Sequence, residues 1–183
     1  CGSRRRVAMA LGVEDLNEIG DRLAQMLRLE VPESLMGKLA MLPMLKEMSG
    51  FPPRRVRSGP CQEVVLQGDD VDLAALPVAT CWPEDGGPYI TLPLVITRDP
   101  EPGVRNAGMY RMQVYSRNTT GMHWQRHKVG ARHFELARRR GERLEFAVAL
   151  GGDPATIYSA TAPLPPAIDE FIFTGFLRRR PVD

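Results

Sequence analysis

Residues 106–128 read NAGMYRMQVYSRNTTGMHWQRHK. Met109, Arg111, Gln113 and Tyr115 alternate with Tyr110, Met112, Val114 and Ser116, the period of two of a β-strand. NTTG at 118–121 then reads as a turn, and TGMHWQRH at 120–127 as the paired strand. The same stretch holds an amide, several arginines, aromatic side chains and two of the three histidines of the chain. A hairpin has no structural need of that mixture, which suits an anion and a metal.

Working outward, VGARHFELARRRGE (129–142) reads as a helix ending at a glycine, and RLEFAVALGG (143–152) as a strand. DPATIYSATAPLPP (153–166) is irregular, and AIDEFIFTGFLR (167–178) is helical, with Ile168, Phe171, Ile172 and Phe176 on one side. Upstream, CQEVVLQG, DDVDLAALPV and YITLPLVITRD read as short strands, the last with Pro93 marking an edge or bulge. SGFPPRRVRSGP (49–60) is a linker by composition. Before it, Val7–Leu11 reads as a strand. Val13–Leu29 is an amphipathic helix with an apolar stripe of Leu16, Ile19, Leu23, Met26 and Leu27. Residues 34–48 form a second helix that Pro43 kinks or splits. The methionines, concentrated before residue 49, read as core filler.

The expected fold is α+β, mainly β with helices. Residues 1–58 are the remnant of an N-terminal α/β domain with its linker, and 59–183 form a strand-rich domain. Both ends look cut, since the chain starts on Cys1 and stops at RRRPVD, so a fragment of a longer protein is expected.

Composition excludes several classes. The 183 residues carry 24 basic and 22 acidic side chains, a net charge of +2, too balanced for a general nucleic-acid binder. Cys1, Cys61 and Cys81 are far apart, which argues against a disulfide framework and a cysteine zinc site and for a reducing, cytoplasmic setting. No apolar run approaches the roughly 20 residues of a membrane span.

Arg111 is two residues from Met109 and from Gln113, so a strand places all three on one face. A guanidinium turned inward there needs a partner, and a carboxylate or phosphate can supply it bidentately. His123 and His127 are four apart, but no Glu follows the first, so the zinc-protease motif is absent. On a strand they lie about 13 Å apart, too far to share one ion, so at most one is a ligand. A hard divalent ion also needs carboxylates, and Glu135, Asp153, Asp169 and Glu170 are all candidates that spacing does not separate.

Three separated stretches carry a family pattern: LPVATCWPEDGGPYITLPLVITRDP, the run from Asn106 to Ala131, and FAVALGGDPATIYSATAPLPPAIDEFIFTGFLR. Together they resemble the UbiD decarboxylases. The resemblance implies a split β-barrel similar to that of FMN reductases. It implies prenylated FMN as cofactor, with Mn2+ bridging its phosphate beside K+, and removal or addition of CO2 on aromatic or α,β-unsaturated acids. Carried over position by position, Asn106, His127 and Glu170 match the metal ligands. Arg111 matches the catalytic arginine near the substrate carboxylate and flavin. Met109, Tyr110, Arg111, His123, Trp124, Gln125, Lys128 and Val129 match cofactor contacts, with Thr161 and Ala162 on the loop toward the phosphate. The acids that complete the family's catalytic network match no position up to Asp183, so the isolated chain is expected to be inactive. The resemblance also implies a pathway in ubiquinone or menaquinone synthesis, a flavin prenyltransferase as cofactor supplier and a homo-oligomer. It allows peripheral membrane association through a lipophilic substrate. Two rivals remain at this stage: a non-catalytic flavin- and metal-binding module, and an RNA-binding barrel stacking bases on Tyr110, Tyr115 and Trp124.

Overall fold

The structure, a computed structural model, describes residues 2–27, 34–40, 42–101, 103–164 and 168–183. Those residues form an α+β fold that divides into two compact units. One comprises residues 1–55 and 153–183, the other residues 56–152. More residues are helical than extended, and the strands form two antiparallel sheets and no closed barrel among the described residues.

The first unit is helical. Helix α1 (Arg4–Leu11) occupies the stretch expected as a strand. The correction has a local cause. Ser3 accepts a hydrogen bond from the Arg6 N–H at 3.3 Å as N-cap, and Gly12, at φ 71°, closes the helix in the left-handed region. A short apolar run does not distinguish the two periods, and the caps decide it. Helix α2 (Asn17–Leu27) follows, and the last residues of the longer helix expected to reach Leu29 lie outside the described residues. Helices α3 (Leu35–Ala40) and α4 (Leu42–Met48) are the two pieces expected from Pro43, which sits in the first turn of α4, where a missing N–H does no harm.

The core of this unit joins Ile19 of α2 to Ala155, Phe173 and Leu177. The last three come from α6 (Pro154–Ser159) and α7 (Glu170–Arg178). Phe51 stacks edge-on to Phe176 at 5.8 Å, and the Phe51 backbone lies so close to Gly175 that a Cβ there would collide with it. Met9 and Met36, expected as core filler, are 71% and 77% exposed. Burial here goes to the branched and aromatic residues of α2 and α7.

The second unit opens with turns, not strands. CQEVVLQG and DDVDLAALPV form 3-10 turns at Pro60–Gln62, Gly68–Asp70 and Leu73–Ala75, leaving Val64, Val65 and Leu66 exposed. Their β-propensity is real, but among the described residues no strand pairs with them, and propensity without pairing makes no sheet. The run at 89–99 becomes β1 (Tyr89–Ile90) and β2 (Leu94–Arg98), divided by buried Pro93. The stretch 105–116 becomes β3 (Arg105–Met109) and β4 (Met112–Ser116). β5 (Thr119–Met122) pairs with β4 around a turn at Arg117–Asn118, earlier than NTTG suggested, with an irregularity at Tyr115. Helix α5 (Val129–Arg139) and β6 (Phe146–Ala149) appear where expected. The sheet orders are β1-β4-β5 and β3-β2-β6.

The single strand read through residues 109–115 is therefore wrong at one place. The chain leaves one sheet after Met109 and enters the other at Met112, with Tyr110 and Arg111 at the corner. Met109, Arg111 and Gln113 do not share one strand face.

Candidate functional site

The corner is built by a buried tyrosine. Tyr110 is 4% exposed and folds back over Gly108, where a Cβ would lie 2.6 Å from its ring. Its hydroxyl accepts a hydrogen bond from the Gly130 N–H at 2.9 Å, which fixes the start of α5. A Cβ at Gly130 would meet Trp124 at 2.6 Å and Tyr110 at 2.9 Å, so both glycines let rings and backbone approach closely. Tyr110 and Trp124 meet edge to face at 5.0 Å, and Trp124 stacks on Phe134 at 6.1 Å.

Deeper in, α5 is tied to the sheet beneath it. His133, 1% exposed, places Nδ1 3.0 Å from Thr97 Oγ1 of β2 and Nε2 3.7 Å from Asp99. Asp99 is 3% exposed, accepts from the Glu101 N–H and pairs with Arg132 at 3.0 Å. The Glu101 N–H lowers the Asp99 pKa, burial raises it, and His133 and Arg132 lower it further, leaving it below the ordinary value. Burial pushes the His133 pKa down, and Asp99 only partly offsets this. This third histidine is a structural anchor, and its apolar helix-face setting in the sequence carried no signal of that bond.

With Tyr110 turned inward, Arg111 is left exposed toward a cavity of about 720 Å³. Met109, Tyr110, Arg111, His123, Trp124, Gln125 and Lys128 line it, together with Thr91, Tyr115 and Met122. Seven of the residues expected to contact a cofactor are thus brought together in one unit. Val129 is the exposed first residue of α5, directly after Lys128. Thr161 and Ala162 follow α6 in the helical unit. Thr91 and Met122 were missed, and Tyr115 was singled out only as a stacking residue of the RNA-binding rival. Met122 stands in register opposite Met112, a relation that appears only once β4 and β5 are paired.

Arg111 and Lys128 bring positive charge to this wall, and among the described residues no Asp or Glu lines it. Such a cavity favours an anion with a flat apolar body. The guanidinium was expected to need a paired partner. Among the described residues it has no ion pair, and it lies 5.2 Å from the Tyr89 ring centroid.

The expected metal ligands come from different elements. Asn106 lies on β3, 6% exposed, and its Nδ2 has no hydrogen-bond partner among the described residues. A buried amide left so is destabilising by about 1–3 kcal/mol, which marks a place for a further polar group. His127 lies in the exposed turn between β5 and α5, not on a strand. Glu170 opens α7 in the helical unit, after Asp169, whose side chain accepts from the Phe171 N–H as N-cap. Two of the other acids are occupied. Arg138 and Arg139 hydrogen-bond Glu135 and hold it at about 2, and Asp153 receives Arg178 through several short bonds. No group of three His, Cys, Asp or Glu side chains gathers among the described residues. An amide, an imidazole and a carboxylate with phosphate oxygens make a donor set suited to Mn2+. The orphaned Asn106 Nδ2 is itself a hydrogen-bond donor, so what it lacks is an acceptor such as a phosphate oxygen.

Comparison with known proteins places this geometry in a family. The family model for the 3-octaprenyl-4-hydroxybenzoate carboxy-lyase Rift-related domain, UbiD, matches residues 54–183. The chain belongs to the UbiD family of decarboxylases. It is 51% identical over 179 residues to an uncharacterized protein of Archaeoglobus fulgidus, covering 97% of this chain and 36% of that one. Among solved structures it is similar to an evolved dimeric form of the UbiD-class enzyme HmfF from Pelotomaculum thermopropionicum in complex with prFMN. That match has a TM-score of 0.77 and 28% identity, over 99% of this chain and 38% of that one. It is also similar to the vanillic acid decarboxylase of Sedimentibacter hydroxybenzoicus in closed form, with a TM-score of 0.77 and 27% identity over 100% of this chain and 36% of that one. The chain thus spans little more than a third of the length of these relatives. Among the described residues no helix is long and apolar enough to cross a membrane.

Proposed function

We propose that the protein is a non-oxidative decarboxylase of aromatic or α,β-unsaturated carboxylic acids, using prenylated FMN with Mn2+ and K+. The observation that carries this reading is the cavity of about 720 Å³, with aromatic walls, Arg111 and Lys128, and no acid among the described residues that line it. Two of the solved relatives agree with it in what they hold or act on: HmfF was solved with prFMN, and the Sedimentibacter enzyme is a vanillic acid decarboxylase.

Prenylated FMN, when bound, supplies the electron sink that CO2 loss requires. The residues of this chain do the rest. Arg111 presents a planar fork that matches a carboxylate bidentately and orients it before the C–C bond breaks. Tyr110 and Trp124 wall the cavity and exclude water. Asn106, through its amide oxygen, His127 and Glu170 would hold the metal. Met109, His123, Gln125, Lys128, Val129, Thr161 and Ala162 would contact the flavin or its phosphate. The domain division at 58/59, a split-barrel description of 59–183, a place in ubiquinone or menaquinone synthesis and a homo-oligomer belong to the same proposal.

The test is CO2 release. The full-length protein, co-produced with a flavin prenyltransferase and kept from oxygen, is assayed on a panel of aromatic acids. Decarboxylation of one of them is expected, and Arg111→Lys should lower kcat/KM by at least about tenfold, since lysine keeps the charge but loses the bidentate fork, and a hydrogen bond to a charged group is worth about 1.5–3 kcal/mol. Full activity in Arg111→Lys would remove the arginine from the mechanism.

A further inference from the structure

Arg111 occupies an unusual position for a cation that must meet a ligand. Among the described residues its guanidinium engages no carboxylate and donates no hydrogen bond, although it carries five N–H donors. A long, exposed, unpaired arginine ordinarily samples many rotamers, and ordering one on binding is unfavourable. Here one contact restrains it. The guanidinium carbon lies 5.2 Å from the centroid of the Tyr89 ring, within the range of a cation–π contact.

The ring is itself held from several sides. The Tyr89 hydroxyl donates to Gln113 Oε1 at 2.9 Å, and Gln113 Nε2 donates to the Gly86 carbonyl at 2.6 Å. Tyr89 and Gln113 are also cross-strand partners of β1 and β4, so backbone register and side-chain bond agree. The Tyr89 N–H bonds to the Ala79 carbonyl at 3.0 Å. His123 packs edge-on to the ring at 5.3 Å, and its own N–H bonds to the Arg111 carbonyl at 3.1 Å, which ties Arg111 to the same group.

We propose that Tyr89 is the positioning residue for Arg111: its ring, anchored through Gln113, holds the guanidinium at the cavity and leaves the N–H donors free for the carboxylate of the substrate. An acid in this role would fix the arginine equally well but would consume its donors and cancel its charge. An aromatic face does neither. The inference rests on the reading of Arg111 as the carboxylate-binding group, and it adds a residue outside every set expected from the sequence.

The test uses the protein labelled with 15N-arginine. The Arg111 Nε–H resonance, assigned by its loss in Arg111→Lys, should lie upfield through the ring current of Tyr89 and show cross-relaxation to the Tyr89 ring protons. Tyr89→Phe keeps the ring and should keep the displacement; Tyr89→Leu should abolish it. Benzoate, titrated against the same resonance, should bind about two- to tenfold more weakly in Tyr89→Leu, and Tyr89→Phe should restore most of that loss. No upfield displacement in the unaltered protein overturns the proposal without any variant having to fold. A displacement that persists in Tyr89→Leu overturns it too. Benzoate that leaves the resonance unmoved while the ring-current signature is intact strikes the reading of Arg111, not the stacking, so the two fail separately.

Discussion

Tyr110 shows how one side chain can both make a fold and shape a site. Its hydroxyl satisfies the N–H of Gly130 in a buried setting, its ring fills the space over Gly108, and by turning inward it leaves Arg111 facing the cavity. Tyr110→Phe keeps the ring and orphans that N–H. It should lower stability by about 1–3 kcal/mol in denaturant unfolding, with the m-value unchanged. A loss much below that would mean the Gly130 N–H finds water. The sequence made Arg111 conspicuous by its company, and the structure gathers most of that company in one cavity. It did not reveal that Arg111 sits at a corner between sheets, because apolar and polar residues alternate from Tyr110 to Val114, straight through the corner. Tyr89 was invisible for a different reason. Its role depends on a cross-strand pairing with Gln113, twenty-four residues away.

At the scale of elements, two attachments dominate, one in each unit. In the sheet unit, α5 is anchored by the buried His133, Thr97 and Asp99. Burial depresses the His133 pKa, so the folded state keeps the ring neutral where the unfolded chain protonates near its ordinary value of about 6.5. The unfolded state then binds more protons in the interval below pH 6.5. Stability from this group is complete above that pH and is lost as pH falls toward the folded pKa, with a slope of up to about 1.4 kcal/mol per pH unit. The depressed Asp99 pKa adds a separate loss only in strong acid, as pH falls below the ordinary value near 3.9. Unfolding free energies between pH 5 and 8 should show the first slope, and His133→Gln should flatten it. An unchanged slope in that variant would assign the titration elsewhere.

In the helical unit, Arg178 of α7 binds Asp153, the N-cap of α6, and donates to the Ala10 carbonyl at the end of α1. Burial raises the Asp153 pKa, but the Arg178 hydrogen bonds and the Ala155 N–H outweigh it and hold the group below its ordinary range. Arg178→Met should lower stability by about 1–3 kcal/mol, measured by urea unfolding, because it leaves Asp153 half-buried and unpaired. A neutral effect would show that water replaces the guanidinium. Helices α5 and α7 were legible from their periodicity. Helix α1 was not, since five apolar residues suit either period and only the Ser3 and Gly12 caps decide between them. The strands expected at 61–78 failed because β-propensity cannot supply a partner strand.

For the whole molecule, the family match over 54–183 and the cavity within residues 56–152 support the same reading by independent routes. One is similarity of sequence, the other the chemistry of a lining with cations and, among the described residues, no acids. The residues singled out from the sequence fall in both units: Asn106 and His127 belong to one, Glu170, Thr161 and Ala162 to the other. That distribution was hidden in a linear reading with a single boundary, because residues 153–183 group with the N-terminal helices. The most direct measurement is the mass of whatever cofactor the full-length protein retains after anaerobic purification with a flavin prenyltransferase, beside an Asn106→Leu variant. Prenylated FMN retained with Mn2+ by the unaltered protein and lost by the variant is the predicted result. Absence of any flavin from the unaltered protein under these conditions would contradict the account at its centre.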